Sequence, residues 1–415
     1  MRYINLFRFF LLVTFFSVLS CQNDSDPEPA NENEGPVLTI DASEYVVPSA
    51  TESWLFTVNR EGAVLETKQL LDGDVLDFTT DPLSDSITLV QVNRYSEDMT
   101  SIIIFGGIKT GSTLKFAFAD KSVPPIPEFT GSASIKITNY PSIDNNPLVI
   151  ASGEVYNKEE PNAGVVNGSC PIYGDKSSIV LSGYRDDGIR VYKKFTDVTA
   201  GQSIEEDFAT FTPYPNFIEV PNDKDVTYLL AGYNEDWERR GTAFSSNEWY
   251  PSSPTPAIMG YLPGYKGYYT SVQSILPASN YVAVSFSKRG EVPTKAEMEL
   301  PSFNYSIMSS SVKDPQFSID KNYTFLQASW SYGTIGSKMV GCTSFTPKNF
   351  RLKLTNLPDE ILAKDPDIKL DKLVLGSCYF AEYLDGFTYE QALNDIMTFN
   401  SHPITFKYRT YEFRP

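Results

Sequence analysis

Ile87-Thr88-Leu89-Val90-Gln91-Val92 alternates branched apolar residues with Thr and Gln over six positions. A period of two in residues of this kind is the signature of a β-strand, whose successive side chains point to opposite faces. The same pattern recurs in Trp54-Leu55-Phe56-Thr57-Val58, in Ser134-Ile135-Lys136-Ile137-Thr138 and, near the end, in Ile404-Thr405-Phe406-Lys407-Tyr408-Arg409. Turn-forming clusters separate the runs, among them Asp144-Asn145-Asn146-Pro147 and Asn222-Asp223-Lys224-Asp225. The expected fold is therefore all-β, built of tandem antiparallel β-sandwiches. Helical signals are few. Thr388-x-x-Gln391 is a capping box at the head of a stripe of Leu393, Ile396 and Met397, and Pro358 to Lys364 can add one turn.

A weak repeat divides the chain. Ser53–Phe78, Ser178–Phe208 and the stretch from Tyr281 to Leu300 each carry an apolar strand, a charged turn and a glycine, at Gly62, Gly188 and Gly290. Each is expected to be a hairpin, the glycine supplying the positive φ of a tight turn. Three sandwich modules follow, at 37–122, 128–255 and 256–415, with the last two alternatively one unit. The boundaries fall at the proline-rich Val123–Pro127 and Pro251–Pro256, where proline removes backbone donors and stiffens the chain. This layout resembles the immunoglobulin-like, transthyretin-like and carboxypeptidase-regulatory-like modules of bacterial surface proteins, a resemblance that bears on fold and not on chemistry.

The N-terminus supplies an address. Residues 1–20 combine Arg2 and Arg8 with a short apolar run from Phe9 to Phe16, the parts of a secretory signal. Val18-Leu19-Ser20-Cys21 resembles the lipobox of bacterial lipoproteins. The resemblance implies cleavage after Ser20, acylation of Cys21 and anchorage to the membrane through lipid, localising the protein to the outer membrane. Residues 21–36 form an acidic tether that cannot bury enough apolar surface to offset its ordering entropy. An acidic stretch right after such a cysteine also resembles the export signal of surface-displayed lipoproteins in some Gram-negative bacteria, which implies exposure at the cell surface.

The chain of 415 residues holds 34 Lys and Arg against 52 Asp and Glu, a net charge of −18. Removing residues 1–20 takes Arg2 and Arg8 with no acid, and the net becomes −20. So acidic a chain lacks the basic face that a nucleic-acid partner demands. Of four cysteines, Cys170, Cys342 and Cys378 remain once Cys21 carries lipid. One disulfide can form among them in three ways. The shared late position favours Cys342 with Cys378, leaving Cys170 free and buried.

His402 is the single histidine, so multi-His metal sites are excluded and no HExxH is possible. No catalytic residue, metal site or cofactor is assigned. A carboxylate pair for glycoside hydrolysis is the enzymatic alternative, because the fold can bring two acids together from anywhere in the chain. The strongest binding feature is Asn247–Tyr269, which holds Trp249, Tyr250, Tyr261, Tyr265, Tyr268 and Tyr269 among four prolines and three glycines. Aromatic faces on loops suit the CH face of a sugar ring, and equally suit a protein partner. In layout the chain resembles the multidomain glycan-binding lipoproteins of starch-utilisation-type systems, and also lipidated fimbrial anchor subunits. The first resemblance implies a non-catalytic surface lipoprotein that binds polysaccharide; the second implies a structural subunit with protein partners.

Overall fold

The computed structural model describes residues 35–44, 52–117, 127–142, 146–153, 155–221, 226–234, 241–246, 258–276, 280–334, 337–397 and 405–415. Residues 36–415 cluster as one compact unit. Among the described residues the fold is all-β, with two short α-helices near the C-terminus.

The first stretch forms β1 (Leu38–Glu44), β2 (Glu52–Val58), β3 (Val64–Gln69), β4 (Val75–Phe78), β5 (Ser86–Ser96), β6 (Met99–Lys109) and β7 (Ser112–Ala117). Trp54, Phe56 and Val58 of β2 enter one core, while Leu55 enters another on the opposite face. Both faces of this strand are covered, which explains its near-continuous apolar run. The small sheet β4-β1-β7 lies over the second core, where Leu38, Ile40 and Phe78 meet Leu55, Leu89 and Phe105.

The middle stretch supplies β8 (Phe129–Thr138), β9 (Leu148–Ser152), β10 (Val155–Glu159), β11 (Val166–Tyr173), β12 (Ser177–Tyr184), β13 (Arg190–Val198), β14 (Ser203–Asp207) and β15 (Thr212–Pro213). Two sheets, β10-β9-β12-β13-β15 and β11-β8-β14, close over a core of their own that includes Ile135, Ile150, Leu181 and Phe208. Then come β16 (Asn216–Glu219), β17 (Val226–Tyr233), β18 (Thr242–Ser246), β19 (Ile258–Tyr261), β20 (Gly267–Leu276) and β21 (Tyr281–Gly290). The chain ends with β22 (Tyr305–Ser309), β23 (Gln316–Ile319), β24 (Phe325–Tyr332), β25 (Met339–Pro347), α1 (Asp359–Lys364), β26 (Val374–Tyr383), α2 (Tyr389–Met397) and β27 (Phe406–Arg414).

A sheet of twelve strands dominates, in the order β18-β17-β20-β21-β27-β26-β24-β25-β6-β5-β2-β3. It draws strands from all three of the expected modules, and the pairing of β17 with β20 accords with residues 128–415 as one unit. β6 from the first stretch runs parallel to β25 from the last, with Ile102 opposite Cys342 and Phe105 opposite Phe345. β17, from the middle stretch, pairs along its length with β20, from the last. Each pairing removes exposed strand edges, which carry rows of unpaired backbone donors and acceptors. The middle sandwich is present but closes at β15 rather than at residue 255. Of the proposed boundaries, residues 123–126 and 251–256 lie outside the described residues.

Two of the three expected hairpins form. β2–β3 turns through Gly62 (φ +90°) and β12–β13 through Gly188 (φ +76°). The third does not, because β21 is already flanked by β20 and β27 and the chain leaves the sheet after Gly290. The capping box is made in both directions: Thr388 N donates to Gln391 Oε1 (2.8 Å), and Gln391 N to Thr388 Oγ1 (3.3 Å). Tyr389, Ala392, Leu393 and Met397 of α2 are buried against the second core.

The expected Cys342–Cys378 disulfide is also corrected. All three described cysteines are free and buried. Cys342 pairs with Trp330 and Cys378 with Ala328, so β24 stands between them. Two strand spacings of about 4.8 Å exceed the span of a disulfide, which wants Cα atoms within about 7 Å. Burial pushes the Cys170 thiol up to about 12 and raises the other two as well.

After β21 the chain is fastened back to the sheet by Glu297. Lys288 of β21 stands directly opposite Lys407 of β27, a like-charge pairing that opposes sheet formation. Glu297 takes both ammonium groups, at 3.3 and 2.9 Å, and caps its own turn by accepting from Thr294 N at 2.7 Å. The Lys407 hydrogen bond above all, with those from Thr294 and Lys288 against a burial penalty, holds its carboxyl at about 2. A depressed folded-state value contributes stability above the ordinary 4.5, and this is lost as pH falls towards 2. Glu297→Gln is expected to lower stability by about 1 kcal/mol at neutral pH. In urea unfolding, the gap from the parent should close as pH drops through that window; a gap that stays constant to pH 2 contradicts the assignment.

Candidate functional site

Cys21, Trp249, Tyr250 and His402 lie outside the described residues. The structure brings Tyr261, Tyr265 and Tyr268 together. Tyr268 meets Tyr261 edge-on at 5.4 Å, Tyr265 lies 6.4 Å away, and Tyr265 packs edge-on against buried Phe244 at 5.0 Å. The Tyr268 hydroxyl donates to Leu262 O (2.9 Å), and burial raises its pKa. Lys194 Nζ sits 5.2 Å from the centre of the Tyr265 ring. Tyr269 projects to the other face of β20, as alternation along a strand requires, and meets Phe406 at 6.3 Å. These rings are half-buried and pack against the core that joins the middle sandwich to the central sheet.

A concavity lies elsewhere, at the end of the sheet where β24 begins and β25 ends. It is a cleft of about 600 Å³, walled by the β22–β23 hairpin on one side and by residues 347–351 on the other. Two short sequences of the same form line it: Lys321-Asn322-Tyr323 and Lys348-Asn349-Phe350. They meet because β24 and β25 are antiparallel neighbours, with Phe325 opposite Pro347. Lys348 N donates to Thr324 O (3.2 Å), and Lys348 Nζ donates to Asn322 Oδ1 (2.6 Å). Asn349 adopts φ +66°, a turn conformation that Asn tolerates well.

The aromatic residues are fixed from below. Tyr323 stands edge-on to buried Phe380 at 4.9 Å, and burial raises its hydroxyl pKa against a hydrogen bond from the Asn349 backbone. Phe317 packs near Trp330 and Phe413. Phe350 lies on the backbone of β6 at Gly106 and Gly107, so close that an added Cβ at Gly106 would fall 2.7 Å from its ring. Here Gly106 and Gly107 together stand opposite Thr88, a β-bulge in the β5–β6 ladder.

The charged groups of the cleft differ in their partners. Arg351 forks onto Asp314, Nε to Oδ1 at 3.0 Å and Nη2 to Oδ2 at 2.6 Å. That pairing lowers the Asp314 pKa and raises that of Arg351. Asp320 accepts from Asn304 N (3.0 Å) and Asn304 Nδ2 (2.8 Å), which hold its carboxyl below the ordinary range. Asp320 is the one carboxylate among the described lining residues.

A second, smaller pocket of about 320 Å³ opens between α2 and the sheet. Phe105, Phe116, Phe345 and Met397 wall it, with Gln91, Ser101, Gln327 and Thr343 among its polar residues. None of these side chains is a titratable group.

Sequence reading passed over the cleft because neither Lys-Asn-aromatic triplet stands out alone; their repetition 27 residues apart was the available signal. Among the described residues, no helix is long and apolar enough to cross a membrane, and no group of three or more His, Cys, Asp or Glu is placed to hold a metal ion. No protein-family model matches the chain, and a comparison with curated proteins returns no match.

Proposed function

We propose that this chain is a non-catalytic lipoprotein, anchored through Cys21 in the outer membrane and facing the cell surface, whose cleft at the start of β24 binds glycan. The observation that carries the reading is the pair of Lys-Asn-aromatic triplets brought side by side in the lining of the cleft. Tyr323 and Phe350 offer ring surface to the CH face of a pyranose. Asn322 and Asn349 each present a donor and an acceptor, matching vicinal sugar hydroxyls.

The test is native electrophoresis of the full chain in gels containing a panel of polysaccharides, with new reducing ends assayed in the same mixtures. At least one glycan should retard the protein without being cut. Tyr323→Ala should weaken that retardation about ten-fold, or about 1.4 kcal/mol. Retardation abolished by Tyr265→Ala but not by Tyr323→Ala would move the site to the tyrosine cluster at 261–268. Absence of any retardation would sink the reading.

A further inference from the structure

We propose that the glycan taken by this cleft is anionic, carrying uronate carboxylates or sulfate esters, and that Lys321 and Lys348 read the charge. The proposal rests on the glycan reading of the same cleft and names its substrate class.

The argument begins with the charge balance. In a chain with 52 acids and 34 bases, lysines find carboxylates easily. Lys68, Lys115, Lys136, Lys193, Lys295 and Lys353 all do so. Lys348 instead donates to the neutral amide of Asn322. Lys321 makes no ion pair among the described residues, although Asp320 precedes it. Both Asp320 oxygens are turned to Asn304. Arg351 is already satisfied by Asp314. Among the described residues neither ammonium forms an ion pair, Lys321 acting on Asp320 only through its field and Lys348 bonding to an amide, on a protein whose overall field repels anions.

Their placement fits a charged sugar. Lys348 Nζ lies over one face of the Tyr323 ring, 5.7 Å from its centre, so that an ammonium stands within reach of any sugar seated against this residue. A pyranose stacked on Tyr323 directs its exocyclic substituent outward from the ring, where a carboxylate or sulfate meets an ammonium. Lys321, two positions before Tyr323, lines the same cleft. A neutral glycan can offer either ammonium only a hydroxyl acceptor, while an anionic one adds the attraction of opposite charges to the hydrogen bond. An acidic protein that must collect an acidic polymer needs such a local reversal of sign to overcome its own repulsion.

Matched glycan pairs separate the possibilities. The full chain is run in gels with polygalacturonate against its fully methyl-esterified form, and with dextran sulfate against dextran. At least one charged member should bind about ten-fold more tightly than its neutral counterpart. The pair that discriminates identifies carboxylate or sulfate as the recognised group. Raising salt from about 0.1 to about 1 M shortens the Debye length from roughly 10 to roughly 3 Å and should erase most of the preference. Lys321→Gln/Lys348→Gln should lose the preference while retaining the parent's melting temperature. Equal binding of charged and neutral members overturns the proposal and leaves the glycan reading standing. A preference that survives the double substitution overturns the assignment to these lysines. Failure of every glycan to bind removes both readings together.

Discussion

Trp330→Ala is expected to cost about 3–5 kcal/mol of stability, the range for truncating a large buried aromatic side chain. Trp330 is 2% exposed on β24 and belongs to the core that also holds Phe56, Val90, Ile104, Leu354 and Phe413. Its indole N–H donates to Ser310 O at 2.7 Å, and Phe317 lies 6.4 Å from its ring. Trp330 thus helps tie the β22–β23 hairpin that walls the cleft to the sheet, beside Phe413, on which Tyr305 stacks at 4.1 Å. Alanine leaves a cavity and removes the donor to the Ser310 carbonyl, whose residue is exposed and can turn to water, so the cavity dominates the loss. Trp330→Phe keeps most of the packing and should retain the larger part of the stability. Urea midpoints of the three proteins measure this; a loss below about 1 kcal/mol for the alanine variant would contradict the role given to the residue.

Gly107→Ala should destabilise the protein by about 2–5 kcal/mol and weaken the cleft as well. Gly107 has φ +70°, and a Cβ there would lie 2.6 Å from the Pro347 ring. The left-handed backbone costs about 1–2 kcal/mol for a residue with a Cβ, and forcing an extra methyl into a packed contact about 1–3 kcal/mol. The bulge also has structural duties on both faces of the sheet. The Tyr389 hydroxyl of α2 lies 2.7 Å from Gly106 O and 3.0 Å from Phe345 O, fastening the helix to one face. Phe350 rests on the other. Moving the Pro347 turn moves Lys348, Asn349 and Phe350 together. Glycan retardation should therefore fall along with the melting temperature. Gly111→Ala is a fitting comparison: its φ is +78°, but no atom lies within 4 Å of the added Cβ, so only the backbone cost should appear.

The features legible in the sequence are those whose causes are local. Short runs of branched and aromatic residues in Ile87–Val92 and Trp54–Val58 marked β5 and β2, whose two faces enter separate cores. Gly62 and Gly188 marked hairpins through their own backbone freedom. Thr388 and Gln391 marked the start of α2 because a capping box closes within four residues. The aromatic stretch was also legible, and the structure gathers Tyr261, Tyr265 and Tyr268 into one cluster. What a pattern of spacing could not reveal is that Gly290 closes no hairpin, since that depends on which strands flank β21.

Cys342 and Cys378 were near in sequence, yet β24 separates them, because strand order is set by which edges find partners and not by distance along the chain. The parallel pairing of β6 with β25 joins residues more than two hundred positions apart, and no local preference encodes it. The cleft arises in the same way. Each Lys-Asn-aromatic triplet is, by itself, an ordinary polar turn. Antiparallel pairing of β24 with β25 lays the entry of one strand beside the exit of the other. The sequence by itself therefore determined the strands, turns and helix, whose energies are settled within a few residues. Only the tertiary structure decided the sheet order, the free thiols and the cleft, because these follow from the competition among all strands for hydrogen-bonded neighbours.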